Sequence, residues 1–202
     1  MERRPQVLLF DLGGVLVEFS GVRDVAPLMS TPISEQEIRA RWSTCPHTEA
    51  YCRGALTRRE FSEQFVTAWG LSLTPDAFAE QFRSWSRRAL PGAAELMALL
   101  RKQYRLAALS NSNELHWDRN TRELGVTGWF DVAISSHQVG INKPDPAIYA
   151  FALERLATRA QDVVFFDDVL DNVEAARRLG IRAFHVIGVE GLRARLHQEH
   201  IL

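Results

Sequence analysis

Val7-Leu8-Leu9-Phe10-Asp11-Leu12-Gly13-Gly14 is an apolar run that closes on a carboxylate and then a glycine pair. Apolar residues in succession, without alternation, read as a strand buried on both faces over residues 6–10. The Gly-Gly pair marks a sharp turn at the strand's carboxyl end. Ligands of open α/β sheets bind at that edge, so Asp11 is a candidate functional carboxylate. The pattern returns downstream as Val163-Val164-Phe165-Phe166-Asp167-Asp168. Two apolar strands that each end in acid suggest one site with three carboxylates. Such a site needs a cation, and oxygen-only donors suit Mg²⁺.

Strands and helices alternate around these runs. Pro91 to Gln103 reads as a helix with proline at its start. Leu106 to Leu109 is a buried strand that ends at Ser110, and Asn113 to Leu124 is a helix stopped by Gly125. Phe130 to Ile134 is a short strand, and Pro146 to Leu156 a helix. Asn172 to Leu179 is a helix closed by Gly180, with Asn172 at its start orienting the acidic loop. Ala183 to Ile187 is the last strand. This alternation predicts a parallel sheet with helices on both faces.

Between the first strand and this second half, residues 22–88 read as several helices. Ser34 starts one, with Glu35 and Glu37 in its first turn. Thr57 and Glu60 form a capping-box pattern ahead of Phe61, Phe65, Ala68 and Trp69 at helical spacing. Thr74-Pro75-Asp76 opens another helix, carrying Phe78, Phe82 and Trp85. These aromatics, with Trp42, read as the core of a small helical subdomain, one or two of them lining a pocket.

The chain has 202 residues, enough for one α/β domain with a subdomain. A net charge of −1 lends no support to nucleic-acid binding. No stretch approaches the ~20 apolar residues of a membrane-crossing helix. Met1-Glu2-Arg3-Arg4 shows no signal-peptide pattern, and Cys45 and Cys52 read as free thiols, so the expected location is cytoplasmic. Lys102 and Lys143 are the only lysines among 24 basic residues, which singles out Lys143 in Asn142-Lys143-Pro144-Asp145-Pro146 as an ammonium in an arginine-rich chain.

Asp11, Ser110, Lys143 and Asp167-Asp168 come in the order, and on the elements, of the four motifs of the haloacid dehalogenase superfamily, and nearly the whole chain resembles that family. The resemblance implies a three-layer α/β/α, Rossmann-like fold, with a core of residues 1–19 and 89–202 and an inserted all-helical cap of residues 20–88. It also implies a Mg²⁺-dependent phosphatase acting on a small phosphorylated metabolite, as a monomer or homodimer. Carried over, Asp11 is the nucleophile that takes up the phosphoryl group. Ser110, with Asn111 and the backbone beside it, binds phosphate oxygens. Lys143 neutralises both nucleophile and phosphoryl group. Asp11, Asp168, the carbonyl of Gly13 and Asp167 form the metal's surroundings, Asp167 as ligand or support.

The chain departs from the family at Gly13, where most of its phosphatases carry a second aspartate as general acid and base. Such help is typically worth about 10²–10⁴-fold. The sugar-1-phosphate phosphatases of the family are similar here, with a like first motif, a second motif like Leu109-Ser110-Asn111-Ser112-Asn113 followed by His116, and a cap segment like Tyr51-Cys52-Arg53-Gly54. Their anomeric leaving group needs less protonation, so a sugar 1-phosphate is the expected substrate. One alternative is a catalytically silent binding protein. Another is a metal-independent dehalogenase, which the acidic pair argues against. His47 is a candidate to face the site from the cap and replace the missing acid. Cys45, His47 and Cys52 are too irregular a set for a metal. His116 reads as a helix residue with a local hydrogen bond, and Arg193–Arg195 as a solvated face.

Overall fold

The computed structural model describes residues 4–202, so the opening Met1–Arg3 stretch lies outside the described residues. The elements run β1 (Val7–Phe10), β2 (Val17–Phe19), α1 (Gly21–Val25), α2 (Glu35–Ser43), α3 (Pro46–Cys52), α4 (Arg58–Trp69), α5 (Pro75–Arg83) and β3 (Ser86–Ala89). They continue α6 (Ala93–Leu100), β4 (Arg105–Ser110), α7 (Glu114–Asp118), β5 (Val132–Ser135), α8 (Ser136–Val139), α9 (Pro146–Arg155), β6 (Val163–Asp167), α10 (Leu170–Arg178), β7 (Arg182–His185) and α11 (Gly188–Gln198).

Five strands form one parallel sheet in the order β5-β4-β1-β6-β7. Successive residues of a strand point to opposite faces, and both faces here are apolar. Leu8, Phe10, Val164 and Phe166 pack beneath Leu96 and Leu100 of α6 and Leu192 and Leu196 of α11. Val7, Leu9, Val163 and Phe165 pack against Ile148 and Ala152 of α9 and Val173 and Ala176 of α10. The result is the three-layer α/β/α sandwich the alternation predicts. β1 lies between β4 and β6, so the chain order reverses at β1, and its carboxyl end opens onto the sheet's switch point.

Helices α1 to α5 build a separate apolar cluster around Phe61, Phe65, Trp69, Phe78, Phe82 and Trp85. Thr57 and Glu60 form the expected capping box, and the Thr74 hydroxyl caps α5.

Some element boundaries differ from the sequence expectation. The stretch 22–88 is not helical throughout, because Ser86–Ala89 pairs antiparallel with Val17–Phe19 as a two-stranded ribbon. Pro91 does not start a helix, since Gly92 at φ 77° breaks the path and α6 begins at Ala93. Helix α7 starts after Asn113 as expected but widens into a π turn over Arg119–Glu123. Helix α10 begins at Leu170, which leaves Asn172 inside its first turn. The strand expected over 130–134 runs Val132–Ser135, and that expected over 183–187 runs Arg182–His185. Among the described residues, no helix is long and apolar enough to cross a membrane.

Candidate active site

The three strand ends predicted from sequence do converge. Asp11 follows β1, and its backbone N–H donates to the Phe166 carbonyl of β6 (2.9 Å). Ser110 ends β4 and Asp167 ends β6, on either side of it. Lys143 enters from the loop before α9 through a cis peptide bond to Pro144. Its ammonium donates to Asp11 Oδ1 (2.6 Å), Asp167 Oδ2 (2.6 Å) and the Leu109 carbonyl (2.8 Å). An ammonium has three hydrogens, and all three are taken. The Phe165 ring lies 5.4 Å from the same nitrogen.

Lys143 is fully enclosed. Burial opposes its charge, but Asp11 and Asp167 outweigh burial and raise its pKa above the ordinary lysine value. Asp11 shifts the other way in effect. Burial pushes its carboxyl up to about 7, Asp167 and Asp168 push in the same direction, and Lys143 opposes them. Asp168, half-buried, rises to about 6 through burial and then through Asp167. Two carboxylates thus share one ammonium, and the third, Asp168, lies close enough to feel their charge.

The two adjacent acids differ in surroundings. Asp167 is buried and accepts from Lys143, from Asn172 Nδ2 (3.0 and 3.1 Å) and from the Val169 N–H (2.8 Å). Its oxygens are engaged by protein. The Asp168 carboxylate has no ion-pair partner among the described residues. It reaches its place because Gly14, at φ 72°, has no side chain, and a Cβ there would overlap the Asp168 carboxylate.

This donor set fits a hard divalent cation. Its side chains offer only oxygen, it carries two uncompensated negative charges, and Asp168 is unpaired. No three His, Cys, Asp or Glu side chains among the described residues close on one point. An ion here therefore keeps water or substrate oxygens as ligands, as Mg²⁺ commonly does.

Asn111 lies at the site, but its amide clamps the lysine loop. Its Oδ1 accepts from the Lys143 N–H and its Nδ2 donates to the Lys143 carbonyl, both at 2.8 Å. Buried Ser110 lines the same cavity as Asp11, Gly13, Lys143, Asp167 and Asp168. That cavity is about 960 Å³ and also takes in Trp42, Cys45, Thr48, Glu49, Cys52 and Arg53 of the helical insert.

His47 is not brought to the site. It is absent from the cavity wall, and its Nδ1 bonds Gln64 of α4 (2.9 Å). Cys45 and Cys52 are free thiols, and burial pushes the Cys52 thiol up to about 12. His116 is buried and pushed down to about 4, chiefly by that burial. Its neutral ring accepts at Nδ1 from Asn113 Nδ2 (3.0 Å) and donates from Nε2 to the Phe82 carbonyl of the insert (2.7 Å).

Two further residues escape a reading of the sequence. Buried Ser136, at the start of α8, accepts from the Ser112 N–H (3.0 Å) and donates to the Cys52 carbonyl at the end of α3 (2.6 Å). Asn142 donates to the Glu49 carbonyl (3.0 Å). Ser136 thereby caps the Cys52 carbonyl at the helix end, where carbonyls lack partners in the helix, and Asn142 adds a second bond to the Glu49 carbonyl, which also accepts from the Arg53 N–H. In sequence Ser136 looks like any helix-start serine, and nothing marks its partner.

A family model for haloacid dehalogenase-like hydrolases matches residues 5–180. The chain is similar to a phosphorylated carbohydrates phosphatase of Thermotoga maritima, 28% identical over 89% of this chain and 84% of that protein. Among solved structures it resembles a HAD-like family hydrolase from Porphyromonas gingivalis, with a TM-score of 0.80 and 21% identity over 98% of each chain. It also resembles a HAD family enzyme from Bacteroides thetaiotaomicron in complex with magnesium and inorganic phosphate. There the TM-score is 0.73 and the identity 22%, over 90% of this chain and 94% of that one.

Proposed function

This chain belongs to the haloacid dehalogenase-like hydrolases, and from that premise we propose that it hydrolyses a small phosphate monoester through Asp11, with Mg²⁺ at the acidic edge. The observation that carries this reading is the ammonium of Lys143 held between Asp11 and Asp167, with the Asp168 carboxylate beside them, at the sheet's switch point. A phosphatase named for phosphorylated carbohydrates is among its relatives, which supports a small phosphorylated substrate.

Asp11 attacks phosphorus and takes up the phosphoryl group as an aspartyl-phosphate, which water then hydrolyses. Lys143 holds the Asp11 carboxylate in place and adds positive charge where the phosphoryl oxygens arrive. Asp167 and Asn111 position Lys143, Asp167 through its ammonium and Asn111 through its backbone. The Ser110 hydroxyl and the N–H groups after it bind phosphate oxygens. Asp11, Asp168 and the Gly13 carbonyl are the groups to hold the ion. When bound, Mg²⁺ supplies the charge that lets a phosphate dianion approach a carboxylate. The helical insert acts as a cap that excludes water while the group moves.

Gly13 offers no proton to the leaving oxygen, so the substrate needs an alcohol that departs with little protonation. An anomeric sugar hydroxyl is one such group and a phenol is another.

The test is phosphate release from a panel of esters, with Mg²⁺ or with chelator, in wild type and Asp11→Asn. The expected result is Mg²⁺-dependent release that falls at least about 10³-fold in the variant. Equal release by both proteins would refute the assignment.

A further inference from the structure

The cavity is much larger than a phosphoryl group needs and lies in the range that encloses a drug-sized ligand. One side of it is the acidic edge. The rest of the wall includes Val17, Phe19, Trp42, Cys45, Cys52 and Phe82. Phe19 is 41% exposed, although it is a large apolar side chain on a short ribbon strand. Its ring lies 5.9 Å from Trp42 and 5.5 Å from His116, centroid to centroid. Gly21 makes room for this pairing, because a Cβ there would fall 2.6 Å from Phe19 Cζ and 3.0 Å from Trp42 Cη2.

Five polar side chains of this wall, Ser43, Ser86, Asn113, His116 and Asn120, are already engaged. Asn113 and His116 bond each other, and the second nitrogen of His116 bonds the Phe82 carbonyl. The Ser86 hydroxyl donates to Asn120 Oδ1 (2.6 Å), and Ser43 donates to the Ala40 carbonyl (2.9 Å). A polyol resting on these engaged groups would lose water for no new hydrogen bond, which is costly; the buried Thr48 Oγ1 and Asn142 Oδ1 on the wall of the same cavity are the ones left without partners. A flat apolar group would lose little and gain ring contacts.

A second observation points the same way. With glycine at position 13, the leaving oxygen must depart without a proton from that side chain. A phenol, with a pKa of about 10 as in tyrosine, leaves far more readily than an alkanol.

Resting on the phosphatase reading above, we propose that the substrate is an aryl phosphate monoester whose ring seats against Phe19 and Trp42. The bond from Asp11 to phosphorus forms as the bond from phosphorus to the aryl oxygen breaks. The electron pair stays on that oxygen, and the phenolate takes a proton from solvent. Water then displaces the Asp11 carboxylate and releases inorganic phosphate. The net reaction consumes one water and yields a phenol and phosphate.

Turnover and binding test this separately. Turnover compares phenyl, benzyl and ethyl phosphates with α-D-glucose 1-phosphate. Binding compares the non-hydrolysable benzylphosphonate and ethylphosphonate. Both use the full chain with Mg²⁺. The expected result is kcat/KM highest for phenyl phosphate, with benzyl above ethyl by about tenfold, mainly through KM. Benzylphosphonate should bind about tenfold more tightly than ethylphosphonate, and Phe19→Ala should erase that preference while Phe19→Tyr keeps it. Asp11-dependent turnover that favours glucose 1-phosphate, or equal binding of the two phosphonates, would overturn the aryl seat. A retained benzyl preference without Asp11-dependent turnover on any ester would keep the seat and sink the phosphatase reading.

Discussion

Gly14 decides how close the two ends of the acidic edge can come. At φ 72° it takes a left-handed turn that an L side chain rarely adopts, and the space beside it is filled by the Asp168 carboxylate. Gly14→Ala therefore strains the backbone and displaces Asp168 together. We expect it to lower Mg²⁺-dependent phosphate release by about 10²-fold and to raise the Mg²⁺ concentration needed for half-maximal rate. A variant with wild-type metal dependence would show that Asp168 does not need this approach. The glycine itself stands out in the sequence as half of a turn signal, and Asp11, Ser110, Asp167 and Asp168 stand out because each interrupts or follows an apolar run. What those residues bond to does not stand out. Asn111 meets the Lys143 backbone 32 positions away, and Lys143 meets Asp167 across 24. Only the fold reveals that Asp167 is saturated by protein while Asp168 is free, or that the Asn111 amide grips a loop. His47 illustrates the same gap from the other side, since a histidine near the right segment points to Gln64 instead.

At the scale of elements, the joint between α5 and α7 is built on a neutral histidine. His116 stacks on Phe82 with ring centroids 4.3 Å apart and donates to the Phe82 carbonyl. Burial lowers its pKa from 6.5 to about 4; the hydrogen bond to Phe82 opposes that shift and the charge of Arg119 adds to it. Between these values the unfolded chain binds a proton that the folded chain refuses. The stabilisation is thus fully present above pH 6.5 and is lost as pH falls towards about 4. At pH 5 the loss is about 2 kcal/mol, or roughly 4–8 °C in Tm. We expect wild type to lose that much more Tm between pH 7 and pH 5 than His116→Gln, which keeps a donor and cannot titrate. Parallel Tm curves for the two proteins would refute it. Helices with caps and long apolar runs were legible in the sequence, as Thr57-Glu60 and Val163–Phe166 show. The β2–β3 ribbon was not, because each strand is three or four residues long and its partner lies across the whole helical insert. The false start of α6 at Pro91 has a local cause, since proline is equally suited to the turn that Gly92 completes.

For the whole molecule, the acidic edge sets stability against function. Burial and neighbouring acids raise Asp11 to about 7 and Asp168 to about 6, so above pH 7 Asp11, Asp167 and Asp168 together set three negative charges against one ammonium. A chain folded without a cation holds this repulsion in place, so removing one carboxylate should relieve it. We expect Asp168→Asn, measured in chelator, to melt a few degrees above wild type, a gain of about 1 kcal/mol. Adding Mg²⁺ should reverse the order. An ion that binds only the folded state at 100 times its Kd stabilises by about 2.7 kcal/mol, which is roughly 5–10 °C for a chain of this size. Wild type should gain that shift and Asp168→Asn little of it. Melting curves in chelator and in a Mg²⁺ titration read both halves together. If Asp168→Asn is destabilised without metal, the charge imbalance is not the dominant cost of this edge. If it gains the full Mg²⁺ shift, the ion is held without Asp168, and the unpaired carboxylate beside Gly14 has some other use.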